Sequence, residues 1–480
     1  MKTHTVALLL AFAALSAGAQ QRPQFTASVR EFIRVDAPVI ALQNVRVIDG
    51  TGAAPREDQT IIITDGKIFA LGAAQAISIP NGAKTLDLAG YTVLPGLVGM
   101  HNHLHYPAPI GPPAMYPEHA TSFPRLYLAG GVTTIRTTGS MEPYTQLEIK
   151  KRIEQGRMAG PKMHISGPYL EGPGAFVPQM FELKNADDAR KLVEYWMDTG
   201  VTSFKAFMHI TPEQLAAAVK AAHARGIKIT GHLCSIGFRE AAALGIDNLE
   251  HGLVADTEFF SGKQPGVCPD LNAVFREMAE KLEISSAPVQ EMLRDLVAKK
   301  VAITSTLPVF EALVPGRPPL SRRVLDAMSP AARAAYLESR AAIADSAAAS
   351  YWPALLKKEM QFELEFARAG GLLMAGPDPT GNGAVIAGFG DQRGIELLVE
   401  AGFTPLEAIR IATLNGAQFL GEADRIGSLA IGKAADMVVI KGNPAADIKD
   451  IEKVEMVFKD GVGFDSAKLI ASVKGLVGLQ

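Results

Sequence analysis

Short apolar runs alternate with helical patterns eight times between residues 94 and 421. The runs end near His103, Thr138, Ser166, Phe207, His232, His251, Leu307 and Asp378. Several are almost continuously apolar, as parallel strands covered on both faces must be. The intervening segments, such as 212–225, carry Ala and Leu at helical spacing. Strand and helix in strict alternation predict an α/β protein with a (β/α)8 TIM-like barrel over 94–421. Two longer interruptions, about 256–300 and 310–366, are helical in pattern. They follow strands six and seven, so they are expected over the barrel mouth, where a lid would sit.

The flanks have a different texture. Val- and Ile-rich runs at 39–49, 59–64, 67–71 and 84–88 are broken by Gly, Asp and Asn, and similar runs recur at 436–441 and 454–459. Asp65-Gly66 supplies the positive φ of a tight hairpin, and the last run leads into Asp460-Gly461. Segments 20–93 and 422–480 are therefore expected to form one small β-sandwich domain built from both termini.

Residues 1–19 read as a signal peptide. Lys2 and His4 precede an apolar run at 6–15, and Ala17-Gly18-Ala19 offers a cleavage site. Ten apolar residues are short for a bilayer, so no stable membrane anchor is expected and the mature chain would be secreted or periplasmic. The 47 Lys+Arg against 50 Asp+Glu leave a net charge of -3, which excludes a nucleic-acid footprint resting on basic excess. Two cysteines are too few for a disulfide scaffold or a Cys-rich zinc domain.

The chemistry sits at the strand ends. His101-Asn102-His103 places two imidazoles on one side of strand one, since residues i and i+2 share a face. His105 is a third residue of that parity, expected in the loop. Lys205 lies within the apolar strand Val201-Thr202-Ser203-Phe204-Lys205-Ala206-Phe207, where a bare ammonium is costly to bury. Such a lysine either pairs with a carboxylate or reacts with CO2 to form an anionic carbamate. His232, His251 and Asp378 end strands five, six and eight. Each alone is compatible with a buried hydrogen-bonding role. Together they bring five metal-ligand side chains and one lysine to a single barrel mouth.

With these motifs the chain resembles the amidohydrolase superfamily of metal-dependent hydrolases. The likeness covers the run from Leu94-Pro95-Gly96 to His103, Gly130-Gly131-Val132-Thr133-Thr134, the Lys205 strand, Gly231-His232, Glu250-His251-Gly252 and Asp378. It extends to Thr413-Leu414-Asn415-Gly416-Ala417 and the run from Gly427 to Asp436. The resemblance implies two divalent metal ions, with zinc expected. His101 and His103 would hold the buried ion, His232 and His251 the outer one, and carboxylated Lys205 would bridge them. Asp378 would bind metal and carry protons while a metal-bridged hydroxide cleaves an amide C–N bond.

The segments around His232 and His251 look most like the binuclear prolidase and carboxypeptidase-like branch, which implies a dipeptide or N-acyl amino acid as small-molecule substrate. Arg136 and His209 are candidates for a substrate carboxylate; His164 and Tyr169 are candidates for the scissile carbonyl or the substrate body. Cyclic-amide hydrolases share a similar lysine strand, but their usual Tyr is Ile210 here. Leu170-Glu171-Gly172-Pro173 resembles the strand-three setting of N-acetylglucosamine-6-phosphate deacetylases, which implies Glu171 as the rival ligand if Lys205 is unmodified. A lactonase or phosphotriesterase on the same metals, and a non-catalytic secreted binding protein, are the alternatives. Cys234 and Cys268 either form a disulfide or leave Cys234 as a free thiol facing the site. A homo-oligomer is left open.

Overall fold

The computed structural model describes residues 23–108, 115–380 and 383–478. The expected signal peptide, 1–19, lies outside them. Eight parallel strands follow one another in chain order, three in one sheet and five in another. The first sheet pairs Leu97–Asn102 with Val132–Thr137, and that strand with Lys162–His164. The second runs Ser203–Ala206, Lys228–Gly231, Asn248–Glu250, Ala302–Ser305 and Leu373–Ala375. A parallel bridge between Ser166 and Ser203 joins the third strand to the fourth. The eighth reaches the first where Asp378 N donates to His101 O at 3.0 Å. Gly376 permits that approach, because a Cβ there would lie 2.2 Å from His101 N. The arrangement is TIM-barrel-like, and the strands end within three residues of where the sequence places them.

Helices return the chain between strands for local reasons. Pro212–His223 opens on a capping box between Thr211 and Gln214, with Pro212 where its missing N–H costs nothing. It buries Leu215, Ala218, Val219 and Ala222 along one face. The two interruptions are helical as expected: Leu271–Lys281 and Ala287–Ala298 precede the seventh strand, and Leu307–Glu311, Arg322–Ala327, Pro330–Ala344 and Trp352–Arg368 precede the eighth.

The remaining strands form one hydrogen-bonded sheet of nine, drawn from both ends of the chain. Tyr91–Pro95 pairs with Met437–Lys441 on one side and Val39–Val47 on the other. Both Asp-Gly turns are tight hairpins, with φ of +50° and +75° at Asp65-Gly66 and +49° and +76° at Asp460-Gly461. Ile40, Leu42, Ile61, Ile63, Val439 and Phe458 cluster in a core separate from the main one. Among the described residues no helix is long and apolar enough to cross a membrane.

Candidate metal centre

The end of the first strand is rigidly held. Tyr127 Oη donates to His103 O at 2.8 Å and accepts from His103 N, while Asn102 Nδ2 donates to Asp391 Oδ1 on the opposite face. His101 and His103 thereby face the strand interior together, both buried. Asp378 meets them across the gap to the eighth strand. Its Oδ1 lies 3.2 Å from His103 Nε2 and 3.7 Å from His101 Nε2. Ligand atoms of His101, His103 and Asp378 fall within 4.8 Å of one another.

The other expected residues lie around this group. Lys205 Nζ is 3.1 Å from His101 Nε2. The His251 ring packs 4.5 Å from His101 and 4.3 Å from His232 between centroids, and His251 Nδ1 is 3.8 Å from Asp378 Oδ2. All six side chains of the expected cage therefore come together. His105 also belongs to the wall: it is buried and stacks on His103 at 4.3 Å.

Two cage residues have strained backbones. His251 has φ +71° and Asp378 φ +50°, in the left-handed region that β-carbons disfavour. At His251 the consequence is visible. Strand alternation would send Glu250 and His251 to opposite faces, but the left-handed turn lets both reach the interior. Glu250 is fully buried and accepts from His101 Nδ1 and from Arg136 Nη2, each at 2.8 Å. Thr306 Oγ1 binds His251 Nδ1 at 2.8 Å. Sequence reasoning quoted Glu250 inside a motif without giving it a role, and missed Thr306.

The electrostatics suit cation binding. Burial, then the Lys205 charge, pushes His101 down to about 4 and His232 down to about 3, so both imidazoles are neutral at pH 7. Burial lowers His103 and His251 as well. It pushes the Lys205 amine down to about 8. Burial alone would raise Asp378 and Glu250. The three neighbouring histidines outweigh it at Asp378, and Arg136 with His101 does so at Glu250, so both carboxyls are held well below their usual range. His103 Nδ1 and His251 Nε2 are buried without a hydrogen-bond partner. Each of these rings also borders the ionised Asp378 carboxylate through its other nitrogen, and neutral imidazoles with an unpaired nitrogen around a carboxylate are donors of the kind a divalent ion takes.

The substrate candidates divide. Tyr169 borders the cage, with Lys205 Nζ 5.5 Å from its ring centroid. Arg136 does not reach the mouth. Its guanidinium turns into the strand interior, donating to Met100 O and Glu250 Oε1, and is 1% exposed. The strand-end position suggested a free cation, but a buried anion already neutralises it. His164 faces elsewhere, with Nε2 3.3 Å from Glu422 Oε1. His209 sits in the loop after the fourth strand and donates its backbone N–H to Glu171 Oε1 at 2.7 Å. Glu171 also accepts from Gly172 N, so it ties loop backbone together rather than joining the cage. Cys234, two residues past His232, is bridged to Cys268 in the first interruption, which removes the free-thiol alternative.

Comparison with known proteins identifies the family. The model of the Amidohydrolase family matches residues 92–333 and 374–463. Over 164 residues the chain is 32% identical to a dihydroorotase of Pelobacter propionicus, covering 32% of this chain and 37% of that protein. It is 26% identical to an enamidase of Eubacterium barkeri over 201 residues, 39% of this chain and 47% of that one. The chain thus spans less than half the length of these curated relatives. A solved Xaa-Pro dipeptidase with bound methionine in its active site superimposes with a TM-score of 0.67 at 20% identity, over 89% of this chain and all of that one, a likeness of fold. With its family model matched over more than half its length, the chain belongs to the Amidohydrolase family.

Proposed function

We propose that the protein is a metal-dependent hydrolase of carbon–nitrogen bonds, acting on a small-molecule amide. The carrying observation is the buried group His101, His103 and Asp378, with Lys205, His232 and His251 packed around it. In this reading those six side chains, with Lys205 as its carbamate, would hold two divalent ions, zinc by preference. A lowered amine pKa favours that modification, since only the neutral amine reacts with CO2. When bound, such ions supply Lewis acidity and bring the pKa of water toward neutrality.

The chain's own groups do the rest. Glu250 accepts the Nδ1 proton of His101, which fixes the tautomer and leaves the Nε2 lone pair available to hold an ion. Asp378 presents Oδ1 to His101 and His103 and is steadied by Thr380 Oγ1 at 2.8 Å. It takes a proton from the attacking water and delivers it to the leaving nitrogen. Tyr169 and Phe207 wall the site and exclude bulk water.

A dipeptide or N-acyl amino acid is the substrate class carried forward from the sequence, and cyclic amides are the second reading, favoured by the lysine strand Ser203–Ala206. The eight strands are read as a closed barrel over 94–421, with a small β-domain from 20–93 and 422–480. Export to a periplasm or beyond the cell fits the Cys234–Cys268 bridge, since such bonds persist where thiols are oxidised.

The test is a hydrolysis panel of dipeptides, N-acyl amino acids, hydantoins and lactones, run with metal analysis. Amide turnover should vanish on chelation and return with Zn2+, and Lys205→Ala should lose bound metal. Full activity after exhaustive chelation would overturn the reading.

A further inference from the structure

The helix Trp352–Arg368 buries two glutamates one turn apart, Glu359 and Glu363, both completely inaccessible. Glu359 Oε2 accepts from Val254 N at 2.8 Å, and Glu363 Oε2 accepts from Ser305 Oγ at 2.8 Å. The Oε1 atom of each is buried without a hydrogen-bond partner, and the four-residue spacing on one helix face sets the two carboxyls side by side. Among the described residues the only titratable group acting on either is the other. Two carboxylates at this depth with no cation cannot both ionise, so the pair holds a proton.

What the pair grips is specific. Glu359 binds the turn Gly252–Ala255, which follows His251 directly. Its Oε1 packs so closely on Gly252 that a Cβ there would lie 1.9 Å away. Glu363 holds Ser305, the residue before Thr306, whose hydroxyl anchors the His251 ring. Each glutamate thus acts one residue away from one of the two anchors of His251: its left-handed backbone and its Nδ1 hydrogen bond.

We propose that Glu359 and Glu363, sharing a proton, are positioning residues that fix the His251 imidazole in its metal-binding orientation. The inference rests on the metal-centre reading above. A helix from the interruption after strand seven thereby helps build the site. The shared proton makes the clamp sensitive to alkali, since burial raises both carboxyls, Glu363 to about 8, and the Glu363 charge raises Glu359 further. Losing that proton sets two anions against each other beneath the His251 turn.

The experiment compares zinc release to a chromogenic chelator between pH 7 and 10 for wild type, Glu359→Gln and Glu359→Ala, with circular dichroism confirming the fold. Glu359→Gln keeps the acceptor for Val254 N and a donor to Glu363, so an ionised Glu363 then faces a neutral amide rather than a second anion. Wild type should release zinc at least about threefold faster at pH 10 relative to Glu359→Gln, while the two match at pH 7. Glu359→Ala, if folded, should raise the zinc Kd about tenfold, as loss of a ligand's support does. Superimposable release profiles for wild type and Glu359→Gln would refute the clamp alone. A wild type that retains no metal would remove both the clamp and the metal-centre reading.

Discussion

The Arg136–Glu250 pair allows a quantitative test of how the metal centre is supported. Arg136 Nη2 lies 2.8 Å from Glu250 Oε1, with side-chain exposures of 2% and 0%. The other partners of each are neutral at pH 7: Met100 O for Arg136, and for Glu250 a His101 imidazole held at about 4. Arg136→Met therefore strips the buried Glu250 anion of its paired cation, leaving only the charge of the Lys205 amine to act on it, and Glu250→Gln strips the buried Arg136 cation of its paired anion. Each should cost about 3–5 kcal/mol of stability. The double variant buries no net charge and should fall within about 2 kcal/mol of wild type, so the coupling energy should exceed about 3 kcal/mol. Urea unfolding of chelator-treated protein measures all four corners of the cycle. Glu250→Gln should also weaken metal binding about 10–100-fold, because His101 loses the anionic acceptor of its Nδ1 proton. Additive single effects, with coupling below about 0.5 kcal/mol, would refute the claim that the pair is a mutually dependent buried unit.

Other expectations follow from the same geometry. Asp378→Asn should lower kcat by about 10²–10⁴-fold while metal content, measured by plasma mass spectrometry, falls far less; equal losses would contradict its role as proton carrier. Cys234→Ser with Cys268→Ser should cost about 4 kcal/mol in denaturant unfolding under oxidising conditions, from the 34-residue separation that the bridge closes. Without metal, His101 and His232 have folded pKa values of about 4 and 3, below the ordinary 6.5. The unfolded chain therefore binds protons first as pH falls, so stability should decline from about pH 6.5 toward pH 4. A flat acid limb in chelator-treated protein would show that these imidazoles are not buried neutral.

How much of this was legible depended on whether local rules governed the residue. His101 and His103 were readable because strand period alone puts them on one face, and Asp65-Gly66 because a tight hairpin demands positive φ. Glu250 was not, because alternation argues against two neighbours facing the same interior and only the left-handed His251 permits it. Arg136 was misread for a related reason. Its position near a strand end was correct, but side-chain direction is set by a distant partner, Glu250, on another strand. His164 likewise finds Glu422, from beyond the last strand of the eight. The Glu359–Glu363 pair gave no signal, since glutamates one turn apart usually mark a solvated helix face.

The sheet shared by both ends of the chain has a consequence for biosynthesis. Thr92 Oγ1 donates to Gly442 O across 350 residues, and the strand carrying His101 begins two residues after the one that pairs with Met437–Lys441. During translation Tyr91–Pro95 must wait for almost the whole polypeptide to emerge before that edge is covered. A nascent chain thus carries an open β-edge next to its first ligand strand, and a chaperone would have to shield it until the later strands arrive.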